Sequence, residues 1–224
     1  MADQLETIEI ETGPAPRASV VWLHGLGADG HDFEPIVPEL GLPGAPAVRF
    51  VFPHAPVRPV TINQGMVMRA WYDVYGPGGR QEDAAGLRAS QQAVTMLIER
   101  ERSRGVAAES IVLAGFSQGG AMALLTGLRH PERLAGLLAL SCSMPLAATL
   151  AGEASAANRE VPIFMAHGRY DDVVPLERAG TSRDALVKAG YHVDWREYPM
   201  PHAVCAEEIA DIATWLGTVL RLGA

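Results

Sequence analysis

Short runs of β-branched and other apolar residues, each closed by Gly or Pro, recur along the chain with longer helix-periodic segments between them. That is the pattern of a sheet covered by helices. The runs predict strands at Leu5–Glu11, Ser19–Leu23, Val48–Phe52, Ile111–Ala114, Leu134–Leu140, Pro162–Ala166 and Val193–Tyr198. The inner ones are apolar at nearly every position, as strands buried on both faces must be, so the sheet should be mostly parallel. Ala84–Arg104 carries Leu87, Val94, Leu97 and Ile98 near helical spacing, and Glu207–Leu220 does the same with Ile209, Ile212, Ala213, Leu216, Val219 and Leu220. Both read as amphipathic covering helices.

One segment breaks the alternation. Pro53 to Arg80 is rich in Pro and Gly, holds Met66, Met68 and Trp71-Tyr72-Asp73, and shows no sustained period. It reads as a long loop walling a binding groove. No repeat, charge block or linker interrupts the rest, and 224 residues suit one core, so residues 1–224 are expected to form a single α/β domain.

Composition narrows the function classes. With 48% hydrophobic and 20% charged residues the chain is ordinary globular material, and its net charge of −8 disfavours nucleic-acid binding. Met1–Thr12 alternates acidic and apolar residues, unlike a signal peptide. No apolar run approaches the roughly 20 residues that cross a bilayer, so a cytoplasmic protein without stable membrane insertion is expected. Cys142 and Cys205 read as free thiols. His202 and Cys205 are three apart, but no second His/Cys pair stands at ligand spacing, so no metal is expected.

The candidate chemistry centres on Gly115-Phe116-Ser117-Gln118-Gly119. G-x-S-x-G alone is a weak signal, and context strengthens it: a buried strand precedes it and a good helix start follows. A serine on such a turn adopts a strained backbone, and glycines two before and two after relieve the crowding. The helix N-terminus brings free N–H groups to where negative charge develops. Ser117 needs a base, and His202 follows the last strand behind two prolines. His167 is read as bonded to backbone, and His31, His130 and His192 as surface or cap residues. The acid that holds the base lies between nucleophile and base, at Asp171 or Asp172; Asp194, inside a strand, is disfavoured. The two oxyanion donors fall to the backbone of Gln118 and, from the Gly25-Leu26-Gly27 turn, of Leu26.

At this point the chain resembles the bacterial carboxylesterases that are similar to acyl-protein thioesterases and lysophospholipases, members of the α/β-hydrolase fold. The resemblance rests on Trp22-Leu23-His24-Gly25-Leu26-Gly27-Ala28-Asp29-Gly30, Pro59–Asn63, Ala70-Trp71-Tyr72-Asp73, Leu113–Gly120, His167–Pro175 and His202. It implies Asp171 as the acid, His202 as the base and Leu26 with Gln118 as the oxyanion hole. It also implies an acyl groove bordered by Trp71, Met144 and Leu146, with Ser143 and Tyr72 standing where relatives commonly carry a large apolar residue and phenylalanine. The expectation is a serine carboxylesterase acting on short to medium acyl esters through Ser117, His202 and Asp171, with no cofactor and no separate cap domain. An acyl-protein thioesterase or lysophospholipase acting on an acylated carrier is the alternative, and a non-catalytic apolar-ligand binder the remote one. A groove rimmed by Trp71 and methionines also offers a surface for a homodimer.

Overall fold

A computed structural model describes residues 5–42, 46–76 and 81–222. In chain order the strands are β1 (Thr7–Glu11), β2 (Ala18–Leu23), β3 (Val48–Pro53), β4 (Val57–Val60), β5 (Met66–Arg69), β6 (Val74–Tyr75), β7 (Gln81–Glu82), β8 (Ile111–Phe116), β9 (Gly136–Leu140), β10 (Ile163–Gly168) and β11 (Val193–Tyr198). The helices are α1 (Ile36–Glu39), α2 (Ala84–Ser103), α3 (Gln118–Gly127), α4 (Leu150–Glu153), α5 (Leu176–Lys188) and α6 (Ala206–Val219).

Seven strands form one sheet in the order β1-β3-β2-β8-β9-β10-β11. The edge strand β1 runs antiparallel to β3, and every other neighbouring pair is parallel. Each predicted sheet strand is present. Because side chains alternate across a strand, Val21, Leu23, Leu113, Leu137 and Met165 pack on one face with α2, α3 and α5. Val20, Trp22, Val112, Leu138 and Phe164 pack on the other with α1 and α6. Burial on both faces is why these strands read as unbroken apolar runs rather than alternating ones.

The predicted loop from Pro53 to Arg80 contains regular structure. β4 and β5 pair antiparallel with Val57 opposite Arg69 and Val60 opposite Met66, and β6 pairs with β7; Pro77 to Arg80 lie outside the described residues. The hairpin turns through Gln64 (φ 58°) and Gly65 (φ 76°). Its strands are short and largely exposed, so no buried face imposed a readable period. α5 also has no counterpart among the predicted helices, because it packs inward with the small residues Ala179 and Ser182 and only one large one, Leu186.

α6 begins at Cys205 with Glu207 and Glu208 in its first turn. Glu208 is fully buried, and although the Cys205 amide lies close enough to favour its charge a little, neither carboxyl oxygen closes a hydrogen bond. Burial, reinforced by Asp211, pushes its pKa from 4.5 up to about 8. An unfolded chain releases this proton above about pH 4.5 whereas the folded one keeps it to about 8, so stability falls as pH rises through that window. Glu208→Gln is expected to flatten this fall and to raise stability at pH 8 by on the order of 2–4 kcal/mol. Thermal melts of both proteins from pH 5 to 8 check this; parallel profiles contradict it.

Candidate active site

β8 ends at Phe116 and α3 starts at Gln118, leaving Ser117 alone on the turn with φ 54° and ψ −119°. This is a left-handed conformation that an L residue rarely adopts. Two neighbours show why the turn needs glycine. A Cβ on Gly115 would stand 2.2 Å from the Gly119 carbonyl carbon, and one on Gly119 only 2.0 Å from the Leu23 carbonyl oxygen. The Ser117 amide donates to the Leu140 carbonyl at 2.8 Å, pinning the turn to β9. The Ser117 hydroxyl opens into a cavity of about 680 Å³.

The loop after β10 carries Asp171, which is 8% exposed, while Asp172 is exposed. Asp171 Oδ1 accepts the amides of Val173 at 2.9 Å and Val174 at 2.7 Å. Oδ2 lies 2.6 Å from His202 Nδ1. Asp194 instead makes an exposed pair with Arg196. His167 Nε2 sits 2.8 Å from the Val174 carbonyl and 3.3 Å from Asp171 Oδ2, so this histidine braces the acid's loop. The His202 loop, between β11 and α6, crosses Gly168 so closely that a Cβ there would meet the Pro201 carbonyl at 2.3 Å. The His202 ring lies 4.7 Å from that of Phe116, the residue before Ser117. Among the described residues the Ser117 hydroxyl makes no hydrogen bond; the Asp171–His202 pair is the assembled half of the constellation.

Leu26 and Gln118 both line the cavity with Ser117. The Gln118 side chain faces away: Oε1 accepts the Trp71 amide at 3.0 Å and Nε2 donates to the Tyr72 carbonyl at 3.0 Å. This leaves the backbone N–H at the start of α3, which has no acceptor within the helix. The Leu26 amide has no partner among the described residues.

The expected groove residues divide. Met144 lines the cavity with Ser143, Pro145 and Cys142, and its amide donates to Ser182 Oγ at 2.9 Å. Trp71 and Leu146 do not line it. Trp71 is fully buried, and its indole donates to the His24 carbonyl at 2.9 Å. It is a strut rather than a wall, and it cannot rim a surface for a homodimer. Leu146 takes φ 48° and turns into the core at 8% exposure. The sequence signal misled because an aromatic beside a Pro- and Gly-rich segment looks alike whether it faces a ligand or anchors the loop. Ile62 and Tyr72, from the loop expected to wall the groove, do line the cavity, and so does Arg178 on α5, which carried no signal of its own.

Burial raises the Tyr72 phenol and pushes the Cys142 thiol up to about 12, so both stay protonated and inert at neutral pH. Cys142 and Cys205 are free thiols. His130, read as a surface or cap residue, is 2% exposed just past the end of α3 and has neither ring nitrogen bonded. It approaches Glu99 and Glu132, whose carboxylates are already bridged by Arg102 at 3.3 and 2.6 Å. No helix among the described residues is long and apolar enough to cross a membrane.

Residues 5–220 match the family described as Phospholipase/Carboxylesterase. Acyl-protein thioesterase 1 of Gibberella zeae is 40% identical over 209 residues, 89% of each chain. Among solved structures, Arabidopsis thaliana SOBER1 superposes with a TM-score of 0.86 at 30% identity, over 91% of this chain and 99% of that one. Acyl-protein thioesterase 2 of Zea mays gives 0.83 at 29% identity, over 96% and 99%. These relatives are fungal and plant proteins. With an α/β-hydrolase sheet, a serine on a strained strand-to-helix turn and a match across nearly its whole length, the chain belongs to the phospholipase/carboxylesterase family of serine hydrolases.

Proposed function

We propose that the protein is an acyl-protein thioesterase, hydrolysing long acyl thioesters on bulky carriers through Ser117, His202 and Asp171. The observation that carries this over a short-ester carboxylesterase is the 40% identity to an acyl-protein thioesterase along 89% of both chains. The cavity supports it: about 680 Å³ lies in the range of roughly 300–1,000 Å³ that suits an apolar ligand of substantial size. So does exposed apolar surface next to it: Ile62 lines the cavity and is exposed, and the adjoining β4–β5 hairpin exposes Val57 and Val67 on one face and Met66 on the other. Exposed apolar side chains beside a site favour an amphipathic partner.

In this reading Ser117 Oγ attacks the thioester carbonyl carbon while its proton passes to His202 Nε2. The carbonyl oxygen becomes the oxyanion, held by the Leu26 and Gln118 backbone N–H groups. Collapse expels the thiolate, which takes the proton from His202. A water then gives a proton to His202 and attacks the acyl-enzyme, and the carboxylic acid leaves as Ser117 recovers its proton. Asp171, ionised and held by two amides, keeps the His202 proton on Nδ1 and balances the imidazolium.

Specificity constants for a palmitoyl thioester, a lysophospholipid and p-nitrophenyl butyrate test the substrate class. The thioester is expected to lead. Turnover of the short ester alone returns the protein to the carboxylesterase reading, and lysophospholipid preference makes it a lysophospholipase.

A further inference from the structure

His24 is 1% exposed, yet both ring nitrogens are bonded. The Ala55 amide, which can only donate, points at Nε2 from 3.0 Å. The Gly25 carbonyl, which can only accept, lies 2.7 Å from Nδ1. One arrangement satisfies both: a neutral ring with its proton on Nδ1, donating to Gly25. Burial keeps it so, pushing the His24 pKa down to about 4.

The Gly25 carbonyl and the Leu26 N–H belong to the same planar trans peptide and point in opposite directions. Fixing one fixes the other. Without the His24 bond the Gly25 oxygen keeps only a long contact, 3.4 Å from the Ala28 amide. The flanking peptides are tied separately, the His24 carbonyl to the Trp71 indole and the Gly27 amide to the Arg69 carbonyl, each at 2.9 Å. Of these three successive peptides, the Gly25–Leu26 unit is the one held by the imidazole. It runs beside the nucleophile: a Cβ on Gly25 would lie 3.5 Å from that of Ser117.

We infer that His24 is a positioning residue: its Nδ1–H holds the Gly25–Leu26 peptide in the orientation that turns the Leu26 N–H toward the developing oxyanion. This rests on the reading of Ser117 as nucleophile and Leu26 as donor given above.

Two isosteric variants separate this from a packing role. Asn places an amide N–H near the position of Nδ1 and leaves the Ala55 amide unmet; Gln places a carbonyl oxygen near Nε2 and leaves the Gly25 carbonyl free. His24→Gln is expected to lose about 100-fold or more in kcat with KM nearly unchanged, the size of one missing oxyanion donor. His24→Asn should retain kcat within about tenfold. Equal losses in the two, or full kcat in His24→Gln, overturn the inference. Imidazole ¹⁵N shifts of the wild-type protein test it even where a variant fails to fold: the Nδ1–H tautomer is expected, and an Nε2–H tautomer overturns it. Ser117→Ala run alongside keeps the failures apart, since wild-type turnover in that variant sinks the reading of the site rather than the role of His24.

Discussion

Ser117→Ala is expected to lower kcat for a p-nitrophenyl ester by about 10⁵-fold or more, because no other group can form the acyl-enzyme. The fold should not suffer. The strained conformation at φ 54° is the same for Ala as for Ser, the anchoring bond to the Leu140 carbonyl uses the backbone amide, and the hydroxyl makes no hydrogen bond that the change would orphan. Loss of rate with an unchanged melting temperature therefore isolates chemistry from stability. A folded variant retaining more than about a hundredth of the rate contradicts the assignment of Ser117.

Asp171→Asn is expected to cost nearly as much, about 10⁴-fold in kcat near neutral pH, for a reason visible in the bonding of the loop. Oδ1 takes two amides, from Val173 and Val174. An asparagine must keep its oxygen there, which turns its NH₂ toward His202 at the place where Oδ2 now lies 2.6 Å from Nδ1. Two donors then face each other unless His202 moves its proton to Nε2, and with that proton in place it cannot accept one from Ser117. The pH dependence of kcat in the two proteins checks this. A loss below about tenfold would mean that Asp171 does not govern the tautomer.

Much of this is legible in the sequence. Strands buried on both faces left apolar runs that located the whole sheet, and Gly115 and Gly119 announced a turn whose clashes, 2.2 and 2.0 Å, show why nothing larger fits. The order of the nucleophile Ser117, an acid at Asp171 or Asp172 and the base His202 followed from where strands end. Residues alone left Asp171 and Asp172 equal, because burial and the two loop amides that distinguish them depend on how the loop folds back on itself. The exposed β4–β5 hairpin stayed hidden because a ribbon without a buried face has no period to read. Trp71 and Leu146 were misplaced because pointing inward or outward at a loop is decided by tertiary partners: the His24 carbonyl in one case, a left-handed backbone in the other. His24 itself stood in plain view beside Leu26, but its meaning lies in the two bonds that fix its tautomer.

The central claim is that Ser117 is an activated nucleophile in this cavity. Reaction with a fluorophosphonate followed by peptide mass mapping tests it without presuming a substrate. The expected result is a single phosphonyl adduct on the peptide containing Ser117, absent in Ser117→Ala and formed far more slowly in Asp171→Asn. Failure of the folded wild-type protein to react, or an adduct on any other residue, would contradict it.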